Sequence, residues 1–174
     1  MRIEGRVLVI KGPDGDLIDD IDTDQIYHNK HLAVTDVREM GKYAMGNLKG
    51  YEDLPKKAGS IDIIMAGENF GAGSSRQQAV DCFKALSIRA VLVRSVGAIY
   101  KRNAINAALG VFCIDTGSEV LSRLPEGAPI SIDTDTGEIA SAGKRMGTIK
   151  LPSRVQMEIL ESGGLFEYGK RMTG

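Results

Sequence analysis

Three short apolar runs, residues 61–66, Ala90–Val93 and residues 111–114, are separated by two stretches whose apolar residues fall at helical spacing. The first stretch carries Ala79, Val80, Phe83 and Leu86; the second is opened by Ser95, runs through Ile99, Asn103, Ile105 and Leu109, and ends at Gly110. Runs this short and apolar read as buried strands. A helix between each pair leaves parallel pairing through right-handed crossovers as the expected topology.

The flanking segments read differently. Residues 2–10 alternate as a first strand and stop at the turn Lys11-Gly12-Pro13-Asp14-Gly15. Near the other end Pro129-Ile130-Ser131-Ile132 alternates, and Asp133-Thr134-Asp135-Thr136-Gly137-Glu138 supplies a turn. Thr148-Ile149-Lys150-Leu151 then closes an antiparallel element. Ser153 caps a last helix through Val155, Ile159 and Leu160, and Gly163-Gly164 stops it. An α/β fold of three layers, β/β/α, with a central partly parallel sheet accounts for these elements, and residues 1–174 are expected to form a single domain.

The first of the central strands runs into Gly67-Glu68-Asn69-Phe70-Gly71-Ala72-Gly73-Ser74-Ser75-Arg76. Glycines at a strand-to-helix turn allow close approach to a ligand, and Ser74 or Ser75 can cap the helix that follows. Free N–H groups, the positive end of the helix and the planar cation of Arg76 together make a carboxylate or phosphate site. The spacing matches neither the dinucleotide fingerprint nor the Walker loop, and Ser74 is not in G-x-S-x-G. The bland alternative is a Ser-Ser cap with a solvated arginine.

Asp19, Asp20, Asp22 and Asp24 crowd the stretch before Gln25-Ile26. The EF-hand glycine and distant glutamate are missing, so a calcium site is the weaker reading. A loop whose Asp and Thr side chains bond their own backbone and brace a neighbouring cation is the stronger one. Thr35 or Asp36 is placed to cap a helix through Glu39, Met40, Tyr43 and Ala44; His28 and His31 before it read as polar loop residues, with general base or ligand as the alternative. Residues 47–60 read as an exposed connection, and Lys101-Arg102-Asn103 as a solvated helix face, with polar contacts from it as the alternative.

With 22 basic against 23 acidic residues and no sustained basic block, nucleic acid is not an expected partner. The apolar runs are too short to span a membrane and the N-terminus has no signal-peptide pattern. Cys82 and Cys113 suit a reducing compartment, and a cytoplasmic location is expected. Neither cysteine nor histidine spacing makes a metal site.

Asp22-Thr23-Asp24-Gln25-Ile26, together with Gly67-Glu68-Asn69-Phe70-Gly71-Ala72-Gly73-Ser74-Ser75-Arg76-Gln77-Gln78-Ala79, resembles the small subunit of 3-isopropylmalate dehydratase and its homoaconitase relatives, a free-standing aconitase swivel domain. Residues 95–109 and 158–165 look like that family as well. The resemblance implies isomerisation of a small hydroxy-acid by dehydration and rehydration, in the case of isopropylmalate for leucine biosynthesis. It also implies a [4Fe–4S] cluster acting as Lewis acid. Such a cluster needs three cysteine ligands and this chain has two cysteines, so a cluster-bearing large subunit is the implied partner and no cofactor is expected on this chain.

Carried across by that resemblance, Ser74 is the base that acts as its alkoxide, and Ser75 and Arg76 contact substrate carboxylates alongside Asn69, Gly71 and Gly73. Asp24 and Thr23 support them. Ala72 stands where relatives often have cysteine, and Gln77 where they often have glutamate. His31, Leu32, Ala33 and Val34 fall where the relatives sort substrates; Ala33 replaces an arginine found in homoaconitase-type members, which suits a branched alkyl group, with His31 as a possible cationic contact. Homoaconitate, 2,3-dimethylmalate and citrate stay open as substrates. An anion-binding module without catalysis is the alternative from another class.

Overall fold

The computed structural model describes residues 1–115 and 119–173. In chain order these form β1 (Arg2–Val9), α1 (Thr23–Ile26), α2 (Val37–Met40), β2 (Ile63–Ala66), α3 (Gln78–Ala85), β3 (Ala90–Val93) and α4 (Ala98–Asn106). They continue as β4 (Gly110–Cys113), β5 (Ala128–Asp133), β6 (Glu138–Ser141), β7 (Lys144–Thr148), α5 (Arg154–Ser162) and α6 (Leu165–Thr173).

The strands make one curled mixed sheet in the order β4-β3-β2-β1-β5-β6-β7. β1 is its seam. On one side β1, β2, β3 and β4 are parallel, with Val7 opposite Ile63, Ile63 opposite Ala90 and Ala90 opposite Gly110. On the other, β5 runs antiparallel to β1, with Arg2 opposite Asp133, and β6 and β7 follow as antiparallel neighbours. Every residue of β2 and β3 is buried, as strands covered on both faces must be.

Alternate residues of those strands face two cores. Leu8, Ile64, Ala66, Val91 and Val93 pack with Val80, Phe83 and Tyr100 of the helical layer. Val7, Val9, Ile63, Met65 and Leu92 pack with Ile130, Ile132, Ile139 and Ile149, because the antiparallel half curls across the opposite face. The β/β/α layering follows, each fully buried Leu, Ile or Phe contributing about 1.5–3 kcal/mol.

Several elements depart from the sequence reading. α4 starts at Ala98, not Ser95, and its N-cap is Gly97; Ser95 Oγ instead accepts the Asn69 N–H at 2.7 Å. Gly110 belongs to β4, where a Cβ would lie 2.6 Å from the Phe112 ring. Residues 47–60 are not merely exposed, since Leu48 and Leu54 are buried and the Tyr51 hydroxyl bonds both the N–H and carbonyl of Lys11. The helix expected through Ala44 breaks after Met40 into a 3-10 turn at Gly41–Tyr43. Ser153 does cap α5, in a reciprocal box with Gln156, and Gly163 ends it in a left-handed conformation, but α6 follows at once. β6 and the Ala142-Gly143 turn into β7 carry too little alternation to be read from the sequence.

Candidate active site

Leaving β2, residues 67–72 run as a ribbon between the acidic loop and the segment entering α4. The Gly67 N–H donates to the Ile18 carbonyl, Glu68 N–H to Asp19 Oδ1, Phe70 N–H to the Ser95 carbonyl and Gly71 N–H to the Ile21 carbonyl. Asn69 sits in the left-handed region (φ 53°) and gives its N–H to Ser95 Oγ and its Nδ2 to Asp20 Oδ1 at 2.8 Å. Gly71 has φ +70°, and a Cβ there would lie 2.3 Å from Tyr100 Cγ. Gly71 therefore has no N–H to offer an anion, contrary to the sequence expectation; its job is to let the backbone lie against Tyr100.

The next four residues are the reverse. Among the described residues, the N–H groups of Gly73, Ser74, Ser75 and Arg76 have no hydrogen-bond partner. Ser74 and Ser75 are exposed, and neither caps α3, whose N-cap is Gln77 with no side-chain cap bond. The chain stays irregular over residues 73–76, so the serines stand clear of the helix start. The Ser74 carbonyl accepts from Thr23 Oγ1 at 2.9 Å, and Thr23 N–H bonds the Ala72 carbonyl at 2.9 Å. Thr23, 3% exposed, thus fastens the backbone on which the Ser74 hydroxyl is carried. Ser75 Oγ accepts from Asn103 Nδ2 at 3.1 Å, so one residue of the supposed solvated face of α4 reaches the turn.

Arg76 is not solvated. Its side chain is 16% exposed, and Nη1 donates to Asp24 Oδ1 at 2.6 Å and to the Tyr27 carbonyl at 3.2 Å. Nε and Nη2 have no partner among the described residues, which leaves one bidentate edge of the guanidinium for a carboxylate. Asp24 owes its place to α1, a single turn closed by Asp22 and Gln25 in a reciprocal capping box. The Arg76 guanidinium, followed by the Asn29 N–H, holds the Asp24 carboxyl below the ordinary carboxylate range. The acidic loop does bond its own backbone and brace a cation, as its composition predicts.

Residues 31–34 hang from the same framework. The Tyr27 hydroxyl donates to the His31 carbonyl, and the His31 ring stacks on Tyr43 with centroids 3.8 Å apart. Leu32 and Ala33 are exposed and Val34 is half-buried against the helical core. Burial and the nearby Lys30 push the His31 imidazole down, toward the neutral form, which argues against a cationic role for it. His28 Nδ1 accepts the Lys30 N–H, the local loop bond expected of it. Sequence reasoning missed Asn47, whose Nδ2 reaches Asp24 Oδ2 at 3.0 Å across a loop of 23 positions.

The cysteines do not suit an iron–sulfur cluster. Cys82 is fully buried on α3, its thiol pushed far up by burial, and Cys113 lies on β4. No group of three His, Cys, Asp or Glu among the described residues converges as a metal site.

Residues 16–114 match the family model for the aconitase C-terminal domain. The chain is similar to the methanogen homoaconitase small subunit of Methanocaldococcus jannaschii, 39% identical over 94% of this chain and 93% of the relative. It is also similar to the 3-isopropylmalate dehydratase small subunit of Thermodesulfovibrio yellowstonii, 37% identical over 93% and 94%. A crystal structure of 3-isopropylmalate dehydratase from Methanocaldococcus jannaschii superposes with a TM-score of 0.84 at 36% identity, covering 99% of this chain and 96% of that one.

Proposed function

We propose that this chain, which belongs to the aconitase C-terminal domain family, is the small subunit of a two-chain hydro-lyase, 3-isopropylmalate dehydratase, and acts in leucine biosynthesis. The whole chain acts as one swivel-like domain, in the cytoplasm, with a large subunit as partner and neither nucleic acid nor membrane as ligand. The observation that carries this reading is the pairing, on one short turn, of an exposed Ser74 hydroxyl with an Arg76 whose free edge is aimed by Asp24.

In this reading Arg76 grips a substrate carboxylate through Nε and Nη2, and Ser75 adds a contact while Asn103 holds its hydroxyl. That grip decides which carbon faces Ser74. Ser74 Oγ, as alkoxide, then takes the proton from carbon, and the electron pair left behind forms the double bond as the neighbouring hydroxyl departs. A serine hydroxyl ionises only with strong compensation, which the free N–H groups of residues 73–76 and the Arg76 charge supply once water is excluded. Nothing among the described residues covers the exposed turn, and in this reading the partner provides that cover. A [4Fe–4S] cluster on a large subunit would supply the Lewis acid for the departing hydroxyl; this chain, with two cysteines, is one short of the three such a cluster needs.

The exposed Leu32 and Ala33, with no arginine between residues 31 and 34 and a neutral-leaning His31, favour a branched alkyl group over a third carboxylate. A homoaconitase subunit is the second reading, favoured by the name of the Methanocaldococcus jannaschii relative. Anaerobic mixing with a cluster-bearing large subunit tests both. Hydratase activity that needs both chains and prefers isopropylmalate is expected. Preference for homoaconitate, citrate or 2,3-dimethylmalate would move the substrate, and activity from the isolated chain would end the two-chain reading.

A further inference from the structure

The segment from Asp24 to Asn47, which carries residues 31–34, is closed at its base by one side-chain pair. Asn47 Nδ2 donates to Asp24 Oδ2 at 3.0 Å and lies 3.4 Å from the Asp24 carbonyl. The other oxygen, Oδ1, takes Arg76 Nη1 at 2.6 Å and the Asn29 N–H at 3.0 Å. A carboxylate held at both oxygens resists turning about its last torsion, so the direction it gives Arg76 depends on Asn47 at the second oxygen as well as on the Asn29 N–H at the first. The chain reaches Asn47 through Met45, which is buried, has φ +57° and donates its N–H to the Ile26 carbonyl. A non-glycine residue there is held in a costly conformation by its surroundings, and it delivers Asn47 over α1.

We propose that Asn47 is a positioning residue for Arg76: by holding Oδ2 of Asp24 it fixes the angle at which the guanidinium edge meets a substrate carboxylate. This rests on the reading of Arg76 as the substrate clamp. The same pair joins the base of the 31–34 loop to that clamp, so the two ends of a substrate are registered against one carboxylate. The groups facing Asp24 are Arg76 from the turn, His28 and the Asn29 N–H from the segment after α1, and Asn47.

Two variants test it, with Asn47→Ala removing the donor and Asn47→Asp keeping the shape. In the reconstituted complex Asn47→Ala raises KM for the hydroxy-acid about tenfold and changes kcat by less than about twofold, as loss of a charge-assisted bond from an exposed donor predicts. Asn47→Asp loses as much at neutral pH and recovers as pH falls, because two adjacent carboxylates come to share a proton and the bond returns. In the isolated chain the Arg76 Nη resonances, assigned by their loss in Arg76→Lys, broaden in Asn47→Ala. Unchanged KM with unchanged resonances, or an Asn47→Asp loss that is flat with pH, overturns the proposal. An inactive wild-type complex would instead count against the assigned reaction, while the Arg76 resonances still report the clasp.

Discussion

The two halves of the turn after β2 each begin with a glycine and have opposite physics. From Gly67 to Gly71 every N–H is bonded to a neighbouring segment, and a side chain at Gly71 would collide with Tyr100. From Gly73 to Arg76 the N–H groups have no partner among the described residues and both serines are exposed. The first half is architecture that a fold needs; the second is polar backbone left open, which a fold alone does not need. Thr23 and Asp24 connect the halves, since both lie in a loop bonded to the first and both hold a residue of the second.

Substitutions on either side should therefore separate stability from activity. The largest effect is expected for Ser74→Ala, which in the reconstituted enzyme lowers kcat roughly 10²–10⁴-fold, the scale of a lost acid–base group. It should leave the melting curve of the isolated chain within about 0.5 kcal/mol of wild type. Loss of stability there would place Ser74 with the architecture. Gly71→Ala should do the opposite, costing about 2–4 kcal/mol in denaturant unfolding, because backbone strain adds to a collision with a buried ring. Gly73→Ala is milder, about 1–2 kcal/mol, since a Cβ there makes ordinary contacts with Thr23 Oγ1 at 3.5 Å and Asp22 Cβ at 3.9 Å and the cost is its φ of +95°.

Thr23→Val comes next, removing the bond to the Ser74 carbonyl without changing shape. About 1 kcal/mol of stability and a fall in kcat are expected together, whereas a change in stability alone would deny Thr23 a hold on the function proposed for the second half. The smallest effect is the pH dependence of the Arg76–Asp24 pair. Asp24 has its folded pKa lowered from 3.8, first by Arg76, so the stability it adds is complete above that value and lost as pH falls through the lower folded pKa. Urea titrations of wild type and Asp24→Asn should differ by a constant amount at neutral pH and converge in acid.

The parallel half of the sheet was legible because its signals are local. Ala90–Val93 and the α3 pattern of Ala79, Val80 and Phe83 depend on spacing within one segment, and so does the Ser153 box that starts α5. The site was legible in its residue types but not in its hydrogen bonds. Arg76 read as a solvated cation or a free clamp, yet one of its nitrogens is committed to residues 49 and 52 positions away. Ser74 and Ser75 read as helix caps because that is the common use of such residues before a helix; the bond from Thr23, 51 positions away, holds the backbone of Ser74 in another course. Asn47 carries no local signal and Asn103 only that of a polar helix face, since an amide on a loop or a helix face becomes informative only when its partner is known.

The amino-acid order determined the three central strands and the helices between them, that those strands run parallel, and that one glycine turn carries two serine hydroxyls and a cation. Those follow from periodicity and backbone freedom, which act over a few residues. Which N–H groups stay open, which oxygen aims Arg76, and which residues of the 27–47 segment meet it were decided only by the folded chain. Each of these is a bond between groups distant in sequence, and such bonds exist only after the sheet has brought the two loops together.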